Sequence, residues 1–218
     1  FVGYAFMDDT NQIGTSPDDN ASFQAIAHRM QASVTAWQGG IRATGGAIVP
    51  EKSHWYLIDF VWTHGHWRYA TEAETPAQIS VQDSTGTEKM LERLAPDKAR
   101  RTLGVRLAPD GNCDDQFKFM VNVATEWGEH IRTGHLPRHL VWESMHTTIL
   151  RTLLYPLPAT TLSQKQCHQI MAPILKYGLP CAGIVRTMPR DLVHGPQWYH
   201  GLGVPDLYLE QAIQHINK

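Results

Sequence analysis

The apolar residues of this chain change their period near residue 113, and that change limits the fold more than any other feature. Downstream, Phe117, Met120, Val121, Ala124, Trp127 and Ile131 recur at three- and four-residue spacing, so 115–132 predicts an amphipathic helix. A second helix is predicted over 138–155, ended by Pro156 and Pro158, and a third over 163–177, ended by Gly178 and Pro180. An irregular Gly/Pro/aromatic stretch at 195–205 follows, and Asp206 caps a last helix carrying Leu209, Ile213 and Ile216.

Upstream the pattern is mixed. Residues 1–13 read as strand, turn and strand around Asp8-Asp9. Phe23, Ile26, Ala27, Met30, Val34 and Trp37 then sit at helical spacing, which predicts a helix over 21–37 stopped by Gly39-Gly40. A Gly-containing connection at 41–53 leads to a strand over 55–62, a turn at Thr63-His64-Gly65-His66 and a returning strand over 67–70. Short strands follow at 79–82 and 102–107, and Pro96-Asp97 marks the start of a short helix. The expected fold class is therefore α+β, with a mixed part over 1–112 and an all-helical part over 113–218.

Bulk composition narrows the function classes. The formal net charge is −2, so any binding of a polyanion must rest on a local positive surface. Cys113, Cys167 and Cys181 lie far apart with no C-x-x-C pair, which points to neither a disulfide framework nor a thiolate zinc site, and to a reducing intracellular compartment, cytoplasm or nucleus. No run of about 18 apolar residues occurs, so no membrane span is expected. The chain opens inside a strand-like run without an initiator Met, and is expected to be a fragment.

The chemistry-bearing feature is Phe6-Met7-Asp8-Asp9. Phosphoryl transfer to a 3′-hydroxyl uses two metal ions about 3.5–4 Å apart. Mg²⁺ takes hard oxygen ligands, commonly one or two carboxylates with substrate phosphates. Two carboxylates on a tight hairpin supply part of such a site; a further carboxylate on a neighbouring strand is needed. The plain alternative is an ordinary turn, because Asp bonds readily to nearby backbone N–H groups.

Phe6-Met7-Asp8-Asp9 resembles the aromatic-x-Asp-Asp box of reverse transcriptases, with Phe6 where that family usually has Tyr. The segment from Thr44-Gly45-Gly46 to Pro50-Glu51-Lys52-Ser53 is similar to the family's next motif, a Gly-containing loop ending in a lysine. Leu103-Gly104-Val105, followed by a turn, resembles the primer grip. The tail, Gly195-Pro196 through Tyr199-His200-Gly201-Leu202-Gly203-Val204-Pro205-Asp206-Leu207-Tyr208, resembles the end of retrotransposon-encoded segments of this kind. The resemblance implies a partial polymerase palm followed by a helical thumb, from an RNA-directed DNA polymerase that adds deoxynucleotides to a primer 3′-end. It implies Asp8 and Asp9 as metal ligands and catalytic carboxylates, with Mg²⁺, or Mn²⁺ in its place, as cofactor. It implies Lys52 as a proton donor to pyrophosphate, and Phe6, Met7, Leu103, Gly104 and Val105 as nucleic-acid contacts. The partners are then an RNA or DNA template with primer, deoxynucleoside triphosphates, and a missing N-terminal fingers and palm segment of the same polypeptide. Without that segment the fragment does not polymerise.

Two other classes stay open: a non-catalytic nucleic-acid-binding or interaction module derived from a retroelement, and a metal-dependent hydrolase using Asp8, Asp9 and histidines. Lys52 is otherwise a solvated loop lysine, and 103–105 an ordinary strand with a glycine. His64 and His66 fit a hairpin turn better than a metal pair. Trp55, Trp62 and Trp67 are expected to fill the face between hairpin and helix, base stacking being the alternative. Trp198 and Tyr199 lie in an irregular loop where a contact role is open. Arg100, Arg101 and Arg106 flank the grip, either meeting phosphates or lying on a solvated strand edge.

Overall fold

A computed structural model describes residues 2–6, 9–15 and 21–217, with 2–6 and 9 described through the backbone alone. It is a mixed α and β structure whose packing divides into two units. One contains residues 1–99 and 108–110; the other contains Arg100–Leu107 and 111–218.

The mixed unit begins with strands β1 (Val2–Phe6) and β2 (Asp9–Ile13), paired antiparallel with Phe6 opposite Asp9. Helix α1 (Phe23–Ala43) follows, its first turn capped by Ser22 Oγ accepting from Ala25 N at 3.3 Å. It does not stop at Gly39-Gly40 as expected. The terminator is Gly45-Gly46: Gly46 N donates to Ile41 O and Gly45 N to Arg42 O, with Gly45 at φ +82°. That is the left-handed exit for which glycine is suited. The helix is carried through the glycine pair because Gln38 and Arg42, on either side, bond to the backbone or side chain of Gln82.

The strand expected over 55–62 is two strands. β3 (His54–Tyr56) pairs parallel with β8 (Glu92–Leu94), and β4 (Phe60–Thr63) pairs antiparallel with β5 (His66–Tyr69). His64 (φ 52°) and Gly65 (φ 83°) close the β4–β5 hairpin, in the left-handed backbone that two-residue hairpin loops require. β6 (Ser80–Gln82) and β7 (Glu88–Met90) form another hairpin. Asp83 knits its turn, accepting from Thr85 N at 2.8 Å, Thr85 Oγ1 at 2.6 Å and Thr87 N at 3.0 Å. Its carboxyl is held below the usual range, chiefly by the Thr85 hydroxyl. Pro96-Asp97 forms a turn rather than a helix. Val34, Trp55, Leu57, Ile79 and Val81 make the core. The Gln31 side-chain amide closes the β6 edge, accepting from Ser80 N at 2.8 Å and donating to Ser80 O at 3.0 Å.

The second unit opens with β9 (Arg100–Thr102) and β10 (Val105–Leu107), an antiparallel hairpin. The strand expected over 102–107 is thus folded back on itself, because Leu103 (φ 49°) and Gly104 (φ 88°) are its two-residue turn. The rest is helical: α2 (Asp114–Thr133), α3 (Arg138–Ser144), α4 (Leu150–Leu154), α5 (Gln164–Pro173), α6 (Leu179–Cys181), α7 (Arg190–His194) and α8 (Leu207–Ile216). Single π-helical turns, Met145–Ile149 and Ile174–Gly178, join α3 to α4 and α5 to α6. The path expected to end at Gly178 therefore runs on to Cys181. Gly178 serves close packing instead: a Cβ there would lie 3.0 Å from Trp127 Cη2. A capping box, Ser163 with Gln166, starts α5, and Asp206 caps α8 through Tyr208 N and Leu209 N, as its sequence predicts. The core runs from Met120 through Leu153, Ile170 and Ile174 to Val204 and Leu207. Buried Gln211 completes the backbone of Leu162, its amide both accepting from Leu162 N and donating to Leu162 O at 2.9 Å. Cys167 lies in this core, where burial pushes its thiol up to about 11, fitting a packed thiol rather than a nucleophile.

Candidate functional site

The expected site residues fall in two groups, one in each unit. In the mixed unit the β1–β2 pairing leaves two residues, Met7 and Asp8, between Phe6 and Asp9. Met7 and Asp8 lie outside the described residues, as does the side chain of Asp9. The backbone pairing sets Phe6 and Asp9 directly across from each other at the end of the ladder. Ser33 Oγ donates to Gln12 Oε1 at 3.3 Å, tying this hairpin to α1. The donor chemistry of Asp8 and Asp9 suits a hard divalent cation. Among the described residues no group of three or more His, Cys, Asp and Glu side chains converges to hold a metal. Lys52 ends the 3₁₀ turn Pro50–Lys52 and is exposed. Ser53 Oγ holds that turn by donating to Val49 O at 2.9 Å.

The second group is the Leu103-Gly104-Val105 hairpin. Three contacts fix it to the helices of its own unit. Tyr155 Oη donates to Leu103 O at 2.7 Å, and a Cβ on Gly104 would lie 3.3 Å from Tyr155 Cε1. Arg106 N donates to Gln116 Oε1 at 2.8 Å, and Gln116 is itself buried. The Arg106 guanidinium stands 4.9 Å from the Phe119 ring centroid. Val105 is buried beneath while Leu103 at the tip is exposed. Arg101 and Arg106 are direct cross-strand partners. Like charges placed opposite each other are unfavourable in a sheet, and an anion between them removes the penalty. Sequence reasoning missed Tyr155 and Gln116 as the hairpin's anchors. Their only signal is spatial, since Tyr155 is 52 residues from its partner.

Charge also separates between the units. The mixed unit has seven Lys and Arg against thirteen Asp and Glu, a net −6; the helical unit has twelve against eight, a net +4. Eight of the twelve histidines lie in the helical unit. The net positive charge that the whole-chain sum hides is therefore carried by the helical unit.

The tryptophans divide. Trp55 is core, 4% exposed, with the Arg93 guanidinium 5.3 Å from its ring centroid. Trp62 and Trp67, expected to be core as well, are 57% and 65% exposed. They face each other across the β4–β5 hairpin at 5.1 Å, beside Phe60 and Tyr69 at 5.0 Å. The short ribbon satisfies its rings by cross-strand pairing instead of helix packing.

No family model matches the chain, and neither a curated protein nor a solved structure matches it. No helix among the described residues is long and apolar enough to cross a membrane.

Proposed function

We propose that the chain is part of an RNA-directed DNA polymerase of reverse-transcriptase type: the rear of the palm in the mixed unit and the thumb in the helical unit. The observation that supports the reading is the β1–β2 register, which pairs Phe6 with Asp9 at the end of the ladder. An aromatic-x-Asp-Asp box on such a hairpin holds two carboxylates through backbone geometry. Asp8 and Asp9 hold Mg²⁺ in this reading, which when bound neutralises charge on the reacting phosphate. Lys52 donates a proton to the leaving pyrophosphate, which is general-acid work. Phe6 and Met7 border the nucleotide. The 103–105 tip holds the primer end, and Arg101 with Arg106 meets its phosphates. Two-metal chemistry needs more carboxylate than Asp8 and Asp9 supply, so activity belongs to a longer parent polypeptide acting inside the cell on a primed RNA or DNA template and deoxynucleoside triphosphates.

The test is primer extension by that parent with Mg²⁺. Asp8→Asn should abolish nucleotide addition and leave primer–template binding nearly unchanged. Synthesis retained by Asp8→Asn would sink the catalytic assignment. A second reading, a non-catalytic nucleic-acid-binding module, is favoured by the net +4 of the helical unit and its cross-strand arginine pair. It predicts binding of primer–template without extension.

A further inference from the structure

The most exposed aromatic rings among the described residues are Trp198 and Tyr199, at 78% and 76%. They are adjacent, on the 3₁₀ turn Gln197–Tyr199, with ring centroids 6.2 Å apart and planes inclined by 62°. Such a pair leaves each ring a face of its own toward solvent.

The loop that carries them is closed and tightly built. Its stem is held by Leu202 N donating to Leu192 O at 2.8 Å, Val204 N to Val193 O at 3.0 Å and Gly203 N to Gly195 O at 2.9 Å. Gly201 N donates to Pro196 O and His200 N to Gln197 O, both at 3.0 Å, closing the tip. His194 Nδ1 lies 2.9 Å from Val204 O and donates to it. Val193 and Val204 are fully buried below, which anchors the stem in the core. His200 takes the left-handed conformation at φ 63°, uncommon for a residue other than glycine. A Cβ on Gly201 would fall 2.1 Å from Gly195 O, so the chain cannot close this way with any side chain there. A rigid loop thus holds two large rings out of the core at the cost of left-handed backbone. Rings fixed in advance lose little freedom on binding.

Charge selects the occupant. Between residues 184 and 204 the chain carries Arg186 and Arg190 against a single acid, Asp191. A Cβ on Gly183 would lie 3.2 Å from Arg138 Nε, so a further guanidinium packs where the segment begins. The unit as a whole is net +4. Exposed aromatic faces on a unit of net positive charge suit the stacking of unpaired bases, whereas a duplex keeps its base faces covered.

We propose that Trp198 and Tyr199 form a stacking site for single-stranded nucleic acid, separate in kind from the backbone-holding hairpin at 103–105. The inference rests on the nucleic-acid reading above and adds the class of strand. The test is fluorescence anisotropy of the full chain with labelled oligo-dT and oligo-U, and with a blunt duplex as reference. Trp198→Ala with Tyr199→Ala should weaken single-strand affinity about tenfold or more, since each stacked base contributes at least several-fold. Duplex affinity and circular dichroism should stay unchanged, both rings being exposed. Trp198→Phe should retain most of the affinity. Equal single-strand binding by the double variant overturns this proposal and leaves the nucleic-acid reading standing. Absence of binding by the unmodified chain overturns both. A concentration-dependent dimer that the double variant abolishes, with oligonucleotide binding intact, assigns the rings to self-association and overturns the proposal as well.

Discussion

In the helical unit one buried cluster extends from Met120 to Leu207, while in the mixed unit the core is Val34, Trp55, Leu57, Ile79 and Val81. The strands of the mixed unit pair two by two, and no described sheet is wider than that. Two-stranded pairings are marginal in water unless something covers them. Here the cover is partial: Gln31 and Gln38 of α1 complete the β6 backbone, whereas Phe60, Trp62 and Trp67 of the β4–β5 hairpin stand in solvent. The helical unit closes its polar backbone inside the core, as Gln211 does for Leu162. The difference teaches that the basic, helical side is the self-supporting part, and that the acidic, strand-rich side depends on local side-chain bonds.

Denaturation tests that contrast most strongly. Leu153→Ala removes a fully buried side chain from the larger core and should cost about 2–5 kcal/mol, lowering the transition followed by helical circular dichroism. Val81→Ala should lower a transition followed by the fluorescence of buried Trp55 while leaving the helical one in place. One shared transition moved equally by both would break the comparison.

A smaller effect probes packing glycines. Gly178→Ala brings a Cβ to 3.0 Å from Trp127 and should cost about 1–3 kcal/mol, because the ring must move off Ser144, to which its Nε1 donates at 3.1 Å. Gly39→Ala, where nothing lies within 4 Å of the added carbon, should instead stabilise α1 by about 0.5–1 kcal/mol. A loss at both positions in thermal unfolding would show that the two glycines are not used differently.

The smallest effect is a pH dependence on the mixed side. Glu74 is held down to about 2, first by the Arg68 guanidinium 2.5 Å away and then by Thr71 N and its hydroxyl. A carboxyl whose folded value is depressed contributes above its ordinary range and loses that contribution as pH falls toward about 2. The pair is solvent-exposed, so the change is slight. Melting temperature followed from about pH 5 down to about pH 2 should fall less steeply in Glu74→Gln than in the unmodified chain.

Much of the helical unit was legible in the sequence because its apolar period is long and its last cap, Asp206, is local. Element ends were read less well where glycine has two uses. Gly39-Gly40 looks like a stop and is helix interior; Gly178 looks like a stop and is a contact under Trp127. The 102–107 stretch reads as one strand because Leu103 gives no sign that it adopts φ 49°. The fixing of the 103–105 hairpin by Tyr155 and Gln116 and the exposure of Trp62 and Trp67 arise from tertiary packing, which spacing alone does not encode. The charge split was hidden because −6 and +4 sum to the whole-chain −2.

The most direct measurement is primer–template affinity of the full chain across a salt series, with one charge reversed in each unit. Arg101→Glu, on the helical side's hairpin, should weaken binding and lower the salt slope by about one. Lys89→Glu, on the exposed β7 strand of the acidic side, should change neither. Equal losses from both reversals, or binding that ignores salt, would contradict the account that the helical unit meets the nucleic-acid backbone.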